Sequence, residues 1–142
     1  MRKKEDFYAE KIFKANNQEL PHVQEFLQSM LQKYGCSEKI MMQIHLVIEE
    51  LFVNIASYGY QNNNGTCNVI IDYDGEKTVV LTIEDNGIPF NPLEKVDPDI
   101  TLPAEKREIG GLGIFITKKI MDQIEYQYEN QKNRLKMTKV IS

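Results

Sequence analysis

Residues 67–90, CNVIIDYDGEKTVVLTIEDNGIPF, carry the clearest structural signal in the chain. Apolar and polar residues alternate on both sides of Asp74-Gly75, and such alternation is typical of β-strands with one buried face. Residues 67–73 and 78–84 are therefore predicted to be strands. The Asp-Gly pair between them predicts a tight hairpin, so this part of the chain is expected to lie in an antiparallel sheet.

The flanking segments show either a strand-like period of two or a helical spacing of three to four residues. The predicted order is a strand at 6–14, helices at 20–34 and 37–58, the hairpin, a helix at 111–121, and strands around 124–128 and 135–137. Gly35 should end the first helix, and Ser37 should cap the second. Several hairpins and few crossovers favour an α+β two-layer sandwich, in which helices cover one face of a mostly antiparallel sheet.

Length and composition limit the class of protein. The 142 residues predict a single domain, 1–142, since a domain takes roughly 150 residues. The net charge of −4, with no basic run longer than Arg2-Lys3-Lys4, argues against binding to nucleic acid. Two cysteines suit a reducing compartment, and neither a signal peptide nor a run of about 18 apolar residues is visible. A soluble, cytoplasmic protein with no membrane segment is expected.

A long irregular segment separates the hairpin from the last helix. Residues 86–109 contain four prolines and show no periodicity. Loops of that length in a compact domain usually serve a function, so we expect a lid, assigned to residues 88–109, over a binding site.

Glu50 and Asn54 form the first candidate motif. Four residues turn a helix by about 400°, so both side chains emerge on nearly the same face. They lie roughly 90–130° from the centre of the apolar stripe and can flank a pocket at the edge of the core. The alternative is a pair of solvated surface side chains. Asn is, however, a poor helix former, and a buried amide needs hydrogen-bond partners.

The second candidate motif, DNGIPF at residues 85–90, follows the second strand of the hairpin. Asn-Gly after a strand ordinarily predicts another hairpin turn. Here Pro89 and Pro92 stand where the return strand would begin, and proline cannot donate to a strand ladder. Asp85 could instead accept a hydrogen bond from an exocyclic amine, and Gly87 would let the backbone approach the ligand ring.

The third candidate motif is GGLGI at residues 110–114, where the last helix begins. Free N–H groups at a helix N-terminus can bind an anion, although glycines there also serve simple close packing. Lys106 and Arg107 precede the motif and could either reach phosphates or only solvate the loop.

In this order, the three motifs resemble those of the GHKL ATPase superfamily, which has the Bergerat ATP-binding fold. Glu50 and Asn54 match its N box, Asp85-x-Gly87-x-x-Phe90 its first glycine box, and residues 111–113 its second. The short chain, the lid and the run GGLGIFITKKIMDQIEY at 110–126 are similar to the anti-sigma-factor serine/threonine kinases of bacterial partner-switching systems.

The resemblance implies a role for each matching position. Glu50 would be the general base, Asn54 would hold Mg²⁺, and Asp85 would accept a hydrogen bond from the adenine amine. The other nucleotide-binding positions would be Gly87, which gives room beside the ring, and Phe90, Lys106, Arg107, Gly111, Leu112 and Gly113. Gly111 and Gly113 would meet the phosphates.

The resemblance also implies ATP and Mg²⁺ as cofactors, and two protein partners. Such kinases phosphorylate a Ser or Thr of a small anti-anti-sigma protein, bind a sigma factor alternatively, and often work as homodimers. Two positions depart from the family pattern. Tyr58 stands where many relatives carry His, and Asn133 stands where many carry the Thr that contacts adenine through water.

Two classes of function therefore stay open. The first is an ATP- and Mg²⁺-dependent protein kinase that regulates a sigma factor. The alternative is a nucleotide-gated module that holds or releases its partner without significant turnover. Simple ATP hydrolysis is a third reading, which phosphate release without any partner would identify.

Overall fold

The computed structural model describes residues 7–59, 65–94 and 111–142. The strands are β1 (Tyr8–Lys14), β2 (Thr66–Tyr73), β3 (Thr78–Asp85), β4 (Gln123–Glu129) and β5 (Lys132–Val140). The helices are α1 (Leu20–Lys33), α2 (Glu38–Asn54) and α3 (Gly111–Ile120), with 3₁₀ turns at Asn17–Glu19 and Pro92–Glu94. Within these residues the strands form one antiparallel sheet of five, in the order β1-β2-β3-β5-β4. The predicted α+β fold is confirmed.

The core lies between one face of the sheet and the helices. Alternate residues of the central strands point into it, as the period-two pattern predicted. Those strands bury Cys67, Val69, Ile71, Val79, Leu81, Ile83, Leu135 and Met137, and the helices bury Val23, Leu27, Leu31, Ile44, Val47, Ile48, Phe52 and Ile114. Asp85 continues the alternation of Leu81 and Ile83, so its carboxylate lies on the inner face at the end of β3.

The turn between β2 and β3 forms where Asp74-Gly75 predicted it. Gly75 has a φ of +85°, which favours glycine. The Asp74 carboxylate accepts hydrogen bonds from the backbone N–H groups of residues 76, 77 and 78 at 2.8, 2.9 and 3.1 Å. These bonds lower the pKa of Asp74 from its usual value. The turn thereby sets the register in which Cys67 faces Asp85.

A two-residue turn joins β4 to β5. Asn130 and Gln131 have φ values of 55° and 62°, the left-handed pair of a type I′ hairpin turn. Glu129 and Lys132 are therefore directly paired, and the next residue of β5, Asn133, lies opposite Asp85 of β3.

The N-terminus of α2 begins where the sequence predicted it, whereas its C-terminus changes to another helix type. Gly35 has a φ of +78° after α1, and Ser37 caps α2 by accepting a hydrogen bond from the Ile40 N–H at 3.3 Å. The second helix continues to Gly59, close to the predicted end at Tyr58, but its last five residues are not α-helical. Regular geometry ends at Asn54, and residues Ile55–Gly59 form a π-helical turn. Periodicity hid this change, because a π turn adds one residue to a turn without breaking the apolar pattern.

Replacing Ser37 with Ala should lower the free energy of unfolding by about 1 kcal/mol, because the N-terminus of α2 loses its side-chain cap. Urea denaturation followed by circular dichroism measures the change. Ser29, exposed within α1, provides the control, since alanine there should be neutral or slightly stabilising. Equal stabilities of the two variants would contradict the assigned cap.

The segment Glu38–Ser57 is the one described helix that is long and apolar enough to cross a membrane by length and composition. Glu49 and Glu50 interrupt its apolar residues, so the absence of an 18-residue apolar run in the sequence did not predict it. In the fold, Met41, Ile44, Val47, Ile48, Leu51 and Phe52 are buried. These residues pack in the protein core, whereas Met42 and Leu46 of the same helix are exposed.

Candidate functional site

The Asp85 carboxylate is the buried acid at one end of the site. Its residue is only 9% exposed, and both hydrogen bonds that it accepts go to Oδ1. The Gly87 N–H donates at 2.9 Å and the Asn133 side-chain amide donates at 3.1 Å. Burial raises the pKa of Asp85, and these two bonds offset part of the rise. Among the described residues no donor contacts Oδ2, so this oxygen can accept a hydrogen bond from a ligand.

The thiol of Cys67 lies beneath this carboxylate. Cys67 is fully buried and directly opposite Asp85 in the β2–β3 register. Burial, with the neighbouring Asp85 charge adding to it, raises the pKa of the thiol far above its usual value. The thiol therefore stays protonated and adds no charge to the floor of the site.

Asn133 joins Asp85 to the chain that follows it. Its Nδ2 also donates to the carbonyl oxygens of Ile88 at 3.0 Å and Gly87 at 3.4 Å. Its Oδ1 accepts a hydrogen bond from the Phe90 N–H at 3.1 Å and another from the Tyr126 hydroxyl. Sequence reasoning placed Asn133 only at the position of a water-contacting Thr and missed these direct contacts. No local sequence signal could have found them, because they depend on the register that pairs residue 85 of β3 with residue 133 of β5.

Residues of the second motif converge here through their backbone. Gly87 and Phe90 are both held by the Asp85–Asn133 pair. No return strand follows β3 in the described residues 86–94, as Pro89 and Pro92 predicted. Phe90 itself is 54% exposed. Lys106, Arg107 and the predicted lid beyond residue 94 lie outside the described residues.

Glu50 and Gly113 meet where α2 packs against α3. A Cβ atom added to Gly113 would lie 2.7 Å from Oε2 and 3.1 Å from Cβ of Glu50. Such distances are shorter than van der Waals contact, so only glycine allows this approach. Glu50 is half-buried, as its position beside the apolar stripe predicted. The first and third sequence motifs are therefore adjacent in the fold.

Thr117 supports the same junction. It is fully buried, and its hydroxyl donates to the Gly113 carbonyl at 2.9 Å, one turn earlier in α3. This bond satisfies a buried hydroxyl within the helix. Gly111 and Leu112 form the first residues of α3, and their side chains lie outside the described set.

Asn54 is half-buried at the last α-helical position before the π turn. π turns within helices occur frequently at functional sites, and this one directly follows the amide that the sequence singled out. No group of three or more His, Cys, Asp or Glu side chains suited to a metal occurs in the described ranges. A single amide oxygen fits Mg²⁺, which keeps several waters and binds through substrate phosphates rather than a full protein cage.

Comparison with known sequences identifies relatives over most of the chain. The family model of the histidine kinase-like ATPase domain matches residues 13–139. The chain is 27% identical over 113 residues to the serine-protein kinase RsbW of Bacillus mycoides. The aligned region covers 77% of this chain and 69% of that protein. It is 24% identical over 103 residues to the anti-sigma F factor of Clostridium kluyveri, which covers 72% of each chain.

Solved structures share the fold. The RsbU and RsbW domains of a Mycobacterium tuberculosis protein match with a TM-score of 0.69 and 14% identity, over 94% of this chain and 32% of that one. The catalytic domain of the histidine kinase ThkA matches with a TM-score of 0.52 and 16% identity, over 94% of this chain and 97% of that one. At such identities the likeness concerns the fold alone.

Proposed function

The chain belongs to the histidine kinase-like ATPase domain family, and on that premise we propose that it is an ATP-dependent protein-serine/threonine kinase. Its substrate would be a small anti-anti-sigma protein, and a sigma factor would be its alternative partner. The names of two relatives, a serine-protein kinase and an anti-sigma F factor, support this class of function. We further propose that it acts as a single domain in the cytoplasm, with a homodimer as the working form.

The close approach of Glu50 to Gly113 carries this proposal. It puts a carboxylate beside the N-terminal turn of α3, where free backbone N–H groups favour phosphate. A carboxylate within hydrogen-bond reach of the attacking hydroxyl can act as general base, the role that the family resemblance implies for Glu50. Phosphoryl transfer otherwise depends mainly on positioning and electrostatic stabilisation.

The adenine would bind at the other end of the site. The unoccupied oxygen of Asp85 is a hydrogen-bond acceptor and would receive the 6-amino group. Asn54 would hold Mg²⁺, which neutralises phosphate charge when bound, and Lys106 and Arg107 would contact the phosphates. Gly111 and Gly113 would offer backbone N–H groups to the same phosphates.

Calorimetric titration with ATP, with and without Mg²⁺, tests the binding step. We expect one Mg²⁺-assisted site per chain. Mass spectrometry of an anti-anti-sigma protein from the same genome, after incubation with the chain and ATP, tests the transfer step. One added phosphate on a Ser or Thr supports the kinase. ATP-dependent complex formation with no added phosphate would instead identify the nucleotide-gated module.

Replacing Asp85 with Asn should weaken ATP binding by about 1–3 kcal/mol. The Gly87 and Asn133 donors would keep the amide oxygen at the Oδ1 position, so the amide nitrogen would face the adenine amine, donor against donor. The same variant should lose less affinity for GTP, whose base carries a carbonyl at that position. Calorimetry with both nucleotides measures this. Asp72→Asn, on an exposed strand position, is the control, and unchanged ATP affinity in Asp85→Asn would contradict the placement of the base.

A further inference from the structure

Asn133 is placed to control how Asp85 meets a ligand. We propose that Asn133 is a positioning residue that occupies Oδ1 of Asp85, leaves Oδ2 as the acceptor for the exocyclic amine of the base, and thereby favours adenine. This inference rests on the proposed function, since it concerns the nucleotide site. It assigns to Asn133 a direct contact with the carboxylate, in place of a contact with the base through water.

The hydrogen bonds of Asn133 fix its orientation. A side-chain amide has two N–H donors and an oxygen with two lone pairs. The oxygen is fully used by the Phe90 N–H and the Tyr126 hydroxyl, both of which are donors. The nitrogen faces acceptors only, namely Asp85 Oδ1 and the carbonyls of residues 87 and 88. A flipped amide would set donor against donor and acceptor against acceptor, so the nitrogen must face Asp85.

Asn133 and Asp85 differ in what they can offer a ligand. Every donor and acceptor of Asn133 already has a protein partner, so the side chain has little left to offer a ligand. Asp85 Oδ1 likewise receives two donors, from Gly87 and Asn133, whereas Oδ2 receives none from the described residues. The arrangement therefore turns one defined oxygen of the carboxylate toward the ligand.

The register of the sheet holds Asn133 next to Asp85. Asp85 and Asn133 are directly paired residues of β3 and β5, and both are more than nine-tenths buried. Directly opposed side chains on one face of an antiparallel pair lie close enough to interact. Because Asn133 also holds the backbone at Phe90, a single side chain links the carboxylate to the start of the segment that follows β3.

Removal of the amide donor should also change the ionisation of Asp85. Burial raises the pKa of Asp85 and the Asn133 bond lowers it, so loss of that bond should raise the pKa further. The titratable groups that interact with Asp85 within the described ranges are the Cys67 thiol on β2 and the Tyr126 hydroxyl on β4. Desolvation raises the pKa of each, so both remain neutral below pH 8. Oδ1 already accepts from the Gly87 N–H, so a proton taken up by Asp85 would lie on Oδ2 and set an O–H donor against the amine of the base. As the pH falls, ATP binding should therefore be lost at a higher pH in a variant without the Asn133 donor than in the parent.

The test compares Asn133→Thr with Asn133→Val. The two side chains have nearly the same shape and suit a strand equally, but only Thr carries a hydroxyl that can donate to Asp85. We expect Asn133→Thr to bind ATP about tenfold more tightly than Asn133→Val. The preference for ATP over inosine triphosphate, which lacks the 6-amino group, should fall toward unity only in Asn133→Val. When ATP affinity is measured as the pH falls, Asn133→Val should lose its affinity at a higher pH than Asn133→Thr.

Asn68→Val is the matched control for loss of a strand amide. Asn68 is half-buried on β2 and donates to the Glu84 carboxylate at 3.2 Å, and its neighbours Cys67 and Val69 are the residues that face the core, so the preference of this variant for ATP over inosine triphosphate should match the parent. Thermal unfolding of each variant checks the fold independently of binding. Equal ATP affinity, base preference and pH profile in the Thr and Val variants would overturn the role of Asn133. If the parent chain does not bind ATP, both the proposed function and this inference are overturned. If the parent binds ATP but the Thr and Val variants do not differ, only the inference is overturned.

Discussion

Replacement of Glu50 with Gln is expected to reduce phosphoryl transfer by about 10²–10⁴-fold while leaving ATP affinity nearly unchanged. The amide keeps the size and much of the hydrogen bonding of the carboxylate, but it cannot take a proton from the attacking hydroxyl. Glu50 is half-buried against Gly113, so the substitution should not disturb the core. Phosphate incorporated into the anti-anti-sigma protein, quantified by mass spectrometry, measures transfer, and calorimetry measures ATP affinity.

Glu49→Gln is the matched control for that experiment. Glu49 precedes Glu50 in α2 but is exposed to solvent, so neutralising it changes the charge equally without touching the junction with α3. We expect the control to transfer phosphate at the parent rate. Full activity in Glu50→Gln would rule out Glu50 as the base. Loss of ATP binding in Glu50→Gln would assign the side chain to binding rather than to proton transfer.

Replacement of Gly113 with Ala should lower the rate of transfer by about 10²-fold, because the new methyl group displaces the Glu50 carboxylate. The added Cβ would lie 2.7 Å from Oε2 and 3.1 Å from Cβ of Glu50, so moving only the flexible end of that side chain would not relieve the clash. Alanine is the best helix former, so α3 itself should not be weakened. The measurement is again phosphate transfer, with thermal unfolding to check the fold.

A double-mutant cycle separates the two ways in which Gly113 could act. If alanine acts only by displacing Glu50, the Glu50→Gln/Gly113→Ala protein should be no slower than Glu50→Gln alone. If it also blocks access of the phosphates to the backbone of α3, ATP affinity should fall equally in both backgrounds. Full transfer activity in Gly113→Ala would show that the position of Glu50 is not critical.

Much of the fold followed from local sequence patterns. Gly35 and Ser37 predicted the break between α1 and α2, and Asp74-Gly75 predicted the β2–β3 turn. Pro89 correctly excluded a hairpin after Asp85. The π turn at Ile55–Gly59 was not predicted, because the apolar spacing of a helix tolerates one extra residue without a visible signal.

The roles of the candidate site residues stay predictions, and the contacts among these residues could not be predicted from the sequence. Helical geometry alone put Glu50 at the rim of the core, where the structure has it half-buried. The approach of Gly113 to Glu50 depends on how α3 packs against α2, and the two residues lie far apart in the chain. The resemblance to a family pointed to Asn133 as a departure, whereas its contact with Asp85 emerged only from the sheet.

Local sequence was thus sufficient for the strands, for the helices apart from the π turn, and for the half-buried position of Glu50. Those properties depend on turn chemistry and on the fixed periods of helix and strand, which act within a few residues. Tertiary structure alone decided that Asn133 faces Asp85 and that Gly113 touches Glu50. Strand register and helix packing are set by burial summed over the whole core, and no short stretch of sequence contains that sum.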